Sequence, residues 1–365
     1  MREEITSPSF FIGRGNGADG SVDLISFGSG QPDLPPPPEA YEVIKDYRGF
    51  RYGLVQGAKA LREALSKEYP GATSDQFVIT NGASEAIDLV LRAVAKAKGC
   101  VLLPRPYYYS YPHNVACAGM TPVYYDLDEQ GKIDFAVFEK VFEEHRNEVR
   151  AVIINSPSNP TGMVQDVETL KKIEALCNKH HVYIISDEVY KDLIYVRGNY
   201  LVQGEHVVTV NSFSKTYAMC GLRVGYLYST DAQLVQTATE TKTHTSMNTS
   251  IIGQAMALGA IEMKHVYIDQ HLPIWRERRD TIYEGLKKLG LELTKPEGAF
   301  YVLPKIKNAT RAMHDLYYSY NMITYDGAWF GAPDHLRFSY ALDTERIQEG
   351  LKRLERFLKN EYKTY

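Results

Sequence analysis

The chain has 365 residues, a formal net charge of −4 and 44% hydrophobic residues, a size at which two lobes are expected in place of one core. That mild acidity, without a long run of like charges, gives no footing for a nucleic-acid or membrane-surface partner. Met1-Arg2-Glu3-Glu4 carries acids where a secretory signal needs an apolar core, and no apolar stretch is long enough to span a bilayer, so a cytoplasmic location is expected.

In chain order, Gly15-Asn16-Gly17-Ala18-Asp19-Gly20 satisfies a G-x-G-x-x-G pattern, but a dinucleotide fingerprint needs a strand before it and a helix after it. A β-type run, Val22 to Phe27, follows instead, so the glycines are read as an N-terminal loop or lid and the run as part of a second lobe. Gly30 to Leu34 and the prolines Pro35 to Pro38 form a rigid connection, since proline fixes φ and cannot continue a helix. Phe77 to Thr80 is a strand; Asn81-Gly82-Ala83-Ser84-Glu85 then opens a helix through Ile87, Val90, Leu91 and Val94, stopped by Gly99. Strands are expected at Val101 to Leu103, Val123 to Tyr125, Arg150 to Asn155, Val182 to Ile185, His206 to Asn211 and Val224 to Tyr228. Helices are expected at Phe135 to His145 and Val167 to His180. The alternation predicts an α/β fold, a mainly parallel sheet sandwiched by helices with its ligand at the carboxyl ends of the strands. Beyond Asp231 the pattern turns largely helical, with long amphipathic stretches at Ile251 to Met263 and Ile274 to Leu289. Short strands at Ala299 to Leu303 and Leu336 to Tyr340, closed by a helix from Thr344 to Tyr362, predict a smaller α+β lobe made from both chain ends. The expected division is a small domain of residues 1–40 plus 275–365 and a large domain of 41–274. Cys100, Cys117, Cys177 and Cys220 lie far apart with no C-x-x-C pair, so neither a metal site nor a disulfide framework is indicated.

Ser212-Phe213-Ser214-Lys215, with Arg223 eight residues on in Gly221-Leu222-Arg223-Val224-Gly225, suits an amine nucleophile beside a phosphate. Lysine amines become nucleophiles where burial or nearby cations favour the neutral form, and carbonyl cofactors are their usual partners. Ser-x-x-Lys also occurs in penicillin-recognising serine enzymes. Gly82, Ala83 and Ser84 offer free backbone N–H groups and a hydroxyl at a helix start, either an anion cradle or an ordinary N-cap. Ser212 and Arg223 would complete such a cradle. Asp187 ends the strand Val182 to Ile185 where ligands bind such sheets; it is either a solvated strand end or the acid that keeps a pyridine nitrogen protonated, with Tyr190 three residues on. Asn159, held extended by Pro160, either presents its amide to a ligand or only shapes a turn.

Asn159-Pro160-Thr161-Gly162, Asp187-Glu188-Val189-Tyr190, Ser212-Phe213-Ser214-Lys215 and Gly221-Leu222-Arg223-Val224-Gly225 together resemble the class I and II aminotransferases, the fold type I pyridoxal-phosphate enzymes. The resemblance runs from about Ile25 to the C-terminal helix, and the serine-enzyme reading falls away because no S-D-N or K-T-G partner is present. It implies an aminotransferase of amino acids and 2-oxo acids in which Lys215 carries pyridoxal 5′-phosphate as a Schiff base and later shuttles a proton. Asp187 would pair with the ring nitrogen, Tyr190 and Asn159 would hold the ring oxygen, and Tyr108 in Arg105-Pro106-Tyr107-Tyr108-Tyr109-Ser110-Tyr111 would cover the ring. Gly82, Ala83, Ser84, Ser212, Ser214 and Arg223 would line the phosphate site. Tyr52 would cross from a neighbouring subunit, implying a homodimer. Arg337 would grip the substrate α-carboxylate with the Gly30 backbone and Asn159. A lyase, a decarboxylase or a histidinol-phosphate-type transaminase shares these residues; a cofactor-sensing regulator would need a winged helix and a basic face that are absent. Nothing identifies a partner for a second substrate carboxylate; Arg14, Arg51, His113, Lys242 and His244 are candidates, each more often an ordinary surface charge or satisfied polar group.

Overall fold

In the computed structural model, which describes residues 4–12, 14, 23–95, 99–196 and 198–360, seven strands build one sheet. They are β1 (Phe77–Thr80), β2 (Cys100–Arg105), β3 (Thr121–Asp126), β4 (Val149–Asn155), β5 (Tyr183–Asp187), β6 (Val207–Ser212) and β7 (Gly225–Ser229), in the order β1-β7-β6-β5-β4-β2-β3. Five adjacent strands, β3 through β6, run parallel, and β7 lies antiparallel between β6 and β1. A sheet covered on both faces needs strands with long apolar runs, and β2 and β4 carry them in Val101–Leu103 and Ala151–Ile154. Along β2 and β4, Val101, Leu103, Ala151 and Ile153 pack on one side with Ala86, Leu89 and Val90 of the helix Ala83–Val94. The alternate residues Leu102, Val152 and Ile154 pack on the other side with Phe138, Phe142, Leu170 and Ile173. The helices that cover this second face are Phe135–Glu144 and Val167–Lys179.

A second core gathers Ile5, Phe11 and Phe27 with Trp275, Ile282, Phe300, Tyr340, Ile347 and Leu354, so both chain ends meet in one lobe. Its strands are short: Ile25–Ser26 pairs in parallel with Met322–Ile323, and Leu336–Ser339 lies antiparallel between Tyr325–Asp326 and Tyr301–Val302. Helix Thr344–Asn360 closes it. The Gly15 to Gly20 segment and Val22 lie outside the described residues.

Two expectations are corrected. The proline run does not end as a connector, because Pro38 opens the helix Pro38–Lys45; its fixed φ suits the first turn, where no amide donor is needed. The helix expected from Ile274 begins at Lys264 and runs unbroken through Pro273 to Lys288. Packing of Tyr267 on one side of the proline and of Trp275, Ile282 and Leu286 on the other outweighs the lost amide. Helix Ala232–Thr245 opens the stretch expected to be largely helical beyond Asp231, although its threonines carry no apolar period.

Candidate active site

The carboxyl ends of β4, β5 and β6 meet at a cavity of about 630 Å³, as open parallel sheets direct. Lys215 lies in a four-residue helical turn that follows β6, and Ser212 caps that turn by accepting from the Ser214 amide at 3.3 Å. The lysine Nζ donates to the Gly30 carbonyl at 2.5 Å and stands 3.9 Å from the Cys220 thiol.

Asp187, the last residue of β5, is buried. Its Oδ2 accepts from the Tyr111 hydroxyl at 2.6 Å and its Oδ1 from the Val189 amide at 3.2 Å. Burial pushes the carboxyl up to about 6; those two hydrogen bonds oppose the rise, Glu188 adds to it and Lys215 works against it. Asn155 at the end of β4 donates to the Asp187 carbonyl at 3.1 Å and accepts from the Asn159 amide at 2.7 Å, tying the two strand ends together.

The loop between β1 and the helix Ala83–Val94 closes against Arg223. Gly82 is the N-cap at φ 78° and gives no side-chain cap, so Ser84 is not the N-cap the sequence left open. A Cβ at Gly82 would come 2.5 Å from the Arg223 guanidinium, and one at Gly225 would come 2.6 Å from the Gly82 carbonyl carbon. Two glycines thus let the arginine and the helix start close on each other. Arg223 itself is left-handed at φ 55° and donates to the Cys220 carbonyl at 3.0 Å.

Arg337 enters from Leu336–Ser339 of the second core and is only 2% exposed. It donates to Asn159 Oδ1 at 3.1 Å and to the Gly28 carbonyl, while Nε has no hydrogen-bond partner among the described residues. Rings of Tyr301, Tyr325 and Phe330 lie 4.6, 4.5 and 4.8 Å from the guanidinium carbon, a desolvated setting that strengthens any anion it binds.

Ala83, Ser84, Tyr108, Asn159, Asp187, Tyr190, Ser212, Ser214, Lys215, Arg223, Arg337 and Gly30 all line this cavity. A family model described as aminotransferase class I and II matches residues 22–354. The chain belongs to that family. A probable aspartate/prephenate aminotransferase of Aquifex aeolicus is 31% identical, with 92% of this chain and 91% of that protein covered. A Thermus thermophilus aspartate aminotransferase solved with maleate superposes at a TM-score of 0.91 with 27% identity, over 98% of this chain and 100% of that one. An aromatic aminotransferase from Pyrococcus horikoshii superposes at 0.87 with 28% identity, over 98% and 99%. Members of the family use pyridoxal phosphate, and this chain is a pyridoxal-phosphate-dependent aminotransferase.

Two positions of the aminotransferase fall outside the cavity wall. Gly82 stands just behind it, against Arg223. Tyr52 is 84% exposed and lines a separate cavity with Phe50, Arg51, Asn248 and Ile251. Lys242, one candidate for a second substrate carboxylate, is buried and donates to Glu85 Oε2 at 2.7 Å and Ser246 Oγ at 2.8 Å. His113 is turned to the Cys117 thiol at 3.4 Å. Tyr111 is a site residue that the sequence reading does not single out; the signal is its place three residues after Tyr108, second in a helix that starts at Ser110.

Proposed function

We propose that this chain moves an amino group from an L-amino acid to a 2-oxo acid, with pyridoxal phosphate attached to Lys215. The observation that carries this reading is the convergence of Lys215 Nζ, the buried Asp187 carboxyl and the Gly82–Arg223 corner on one cavity. The residues present fit the cofactor. Ala83 and Ser84 offer amides at the positive end of a helix without a side-chain cap, and with Ser212, Ser214 and Arg223 they would take the phosphate. Asp187 would pair with the ring nitrogen, Tyr190 and Asn159 would hold the ring oxygen, and Tyr108 would lie over the ring.

When bound, pyridoxal phosphate supplies an electron sink for the pair left on the substrate α-carbon as its proton departs. Lys215 Nζ would take that proton from the α-carbon and give it back on the cofactor side of the substrate nitrogen, so that the amino group stays behind when the 2-oxo acid leaves. The Tyr111 hydroxyl favours the charged form of Asp187 that a protonated ring nitrogen requires. Arg337 grips the α-carboxylate through its planar fork, beside Asn159 and the Gly30 backbone. Tyr190 is itself fixed by a 2.8 Å hydroxyl contact with Tyr301.

The reading includes a homodimer in which Tyr52 reaches the partner's phosphate site; the high exposure of Tyr52 supports it. It also includes a small domain of residues 1–40 and 275–365 and a large one of 41–274, supported by the separate core around Phe27, Phe300 and Leu354. No helix among the described residues is long and apolar enough to cross a membrane, in keeping with a cytoplasmic enzyme.

The test is a half-reaction. Reconstituted protein mixed with an amino acid and no 2-oxo acid should pass from the aldehyde to the amine spectrum, and Lys215→Ala should not. Ammonia or carbon dioxide as the product would point to a lyase or decarboxylase on the same fold. Normal turnover by Lys215→Ala would refute the assignment.

A further inference from the structure

Lys215 sits in a helical turn of four residues, Phe213–Thr216, too short to hold itself by its own hydrogen bonds. Its aim is set by what packs against the turn. Ser212 caps it beside the cavity. Behind it, Thr216, Asp192, Lys264 and Glu68 line a small crevice separate from that cavity. Thr216, the residue after Lys215, is 4% exposed and donates through Oγ1 to Asp192 Oδ2 at 3.2 Å. Asp192 Oδ1 stands 3.0 Å from Lys264 Nζ, and the same ammonium donates to Glu68. The transfer chemistry above uses none of these groups.

The four residues come from separate stretches of the chain. Asp192 lies two residues past Tyr190, in consecutive turns closed by the Lys191 amide on the Glu188 carbonyl and the Leu193 amide on the Tyr190 carbonyl, each at 2.9 Å. The Thr216–Asp192 bond therefore ties the turn that carries Lys215 to the turn that carries Tyr190. Lys264 opens the helix Lys264–Lys288, which packs farther on into the second core through Trp275 and Ile282. Glu68 follows the helix Lys59–Ser66.

A hydroxyl donating to a carboxylate makes the stronger, charge-assisted kind of hydrogen bond. Burial works against the Lys264 ammonium, yet Asp192 and Glu68 outweigh it and hold the group above the usual lysine value. Asp192 thus faces a charged group fixed between two carboxylates. Glu188, the buried carboxylate beside Asp187, has partners of its own in Lys191 Nζ at 3.7 Å and the hydroxyls of Ser186 and Thr209. It does not compete for Thr216.

We infer that Asp192 is a positioning residue for Lys215. Through the Thr216 hydroxyl it holds the turn that carries the amine in register with the turn that carries Tyr190, and Lys264 and Glu68 hold Asp192 in place. The inference rests on the reading of Lys215 as the cofactor-bearing amine. A lysine side chain reaches its target over several rotatable bonds, so its backbone turn is where its aim is fixed, and small misplacements there are costly to a reacting group.

The experiment exploits the two ways of trimming a threonine. Thr216→Val keeps the shape and removes the hydroxyl, while Thr216→Ser keeps the hydroxyl and removes a methyl. Two rates are read by absorbance: uptake of pyridoxal phosphate by the cofactor-free protein, and kcat of the holoenzyme half-reaction with the fastest of aspartate, phenylalanine and alanine. Thr216→Val should slow both by at least about fivefold, the weight of one hydrogen bond, with the amino-acid KM within about twofold of wild type. Thr216→Ser should restore most of each rate. Asp192→Asn should show a loss of the same kind, and Thr216→Val added to it should cost little more. Wild-type rates in Thr216→Val, a serine variant no faster than the valine one, or losses that multiply in the double variant would overturn the inference. Wild-type holoenzyme that reacts with none of the three donors would count against the aminotransferase reading instead, and the uptake rates would still decide the role of Asp192.

Discussion

The Tyr111 hydroxyl donates to Asp187 Oδ2 at 2.6 Å, joining the start of the helix Ser110–Cys117 to the end of β5 in the buried floor of the site. A hydrogen bond to the charged form holds down a carboxyl that burial has already pushed up to about 6. Tyr111→Phe removes the donor and leaves the burial. With a charge-assisted bond contributing about 1.5–3 kcal/mol, the Asp187 carboxyl should rise by roughly one to two pH units and the rate should fall by about ten- to a hundredfold. In a pH profile of kcat/KM, the acid limb should move to higher pH; an acid limb that stays put would separate Tyr111 from the titration of Asp187.

The same carboxyl sets a pH dependence of stability in the cofactor-free protein. Its folded value of about 6 lies above the ordinary 3.8, so the protonated form is favoured on folding. The stability it contributes is full below about 3.8 and is lost as pH rises through about 6, a change of roughly 2 to 3 kcal/mol. Asp187→Asn keeps the shape and removes the titration. The stability of wild type relative to that variant, from urea melts, should therefore fall between pH 4 and pH 7. Addition of pyridoxal phosphate should reverse the loss, since a protonated ring nitrogen compensates the carboxylate. Parallel stability curves for the two proteins would contradict this.

How much of this could be read from the chain differs by element. Asp187, Lys215 and Asn159 were visible because each ends an apolar run in a polar motif, and parallel sheets bring such ends together whatever the intervening helices do. Tyr111 was hidden among the neighbouring tyrosines 107, 108 and 109, since only the start of the helix at Ser110 decides which of these rings points at β5. The contact of Arg337 with Gly28 joins residues from opposite ends of the chain, and local pattern carries no information on such distance. Lys242 stays open in the sequence between a surface charge and a satisfied polar group because its partner Glu85 lies on a different helix, and it is the satisfied group.

That pair gives a stability prediction. Lys242 is fully buried, and Glu85 also accepts from the Asn81 amide and from Ser246. Lys242→Met leaves the carboxylate behind the helix start without its cation and should cost about 3–5 kcal/mol. The double variant with Glu85→Gln should recover much of this, because neither charge then remains. Chemical denaturation of the three variants measures the coupling; additive losses would show that the two side chains do not act as a unit.

Gly82 gives a prediction about the cofactor. Gly82→Ala places a methyl 2.5 Å from the Arg223 guanidinium and forces a left-handed φ of 78° on an alanine. At φ 78° and ψ 172°, a region confined essentially to glycine, the backbone strain is about 1–3 kcal/mol, but displacement of Arg223 should weaken pyridoxal-phosphate binding by more than that strain alone. Fluorescence titration of the apoprotein should show at least a tenfold loss of affinity, with the unfolding midpoint only slightly lowered. Equal affinity in the variant would mean that Arg223 does not need this approach to hold the phosphate.

Tyr52 allows the proposed dimer to be tested by mixing two damaged proteins. Lys215→Ala lacks the reacting amine, and Tyr52→Phe lacks the hydroxyl proposed to serve the partner's phosphate; alone, the first is inactive and the second binds cofactor weakly. Dissociation and reassociation together produce a mixed dimer. In it, the site that retains Lys215 receives an intact Tyr52 from the other subunit, while the second site lacks both. One site in two should then regain wild-type affinity for pyridoxal phosphate, and the mixture should exceed the activity of either variant at low cofactor concentration. If Tyr52 served its own subunit instead, the site that retains Lys215 would still carry phenylalanine, and mixing would recover nothing.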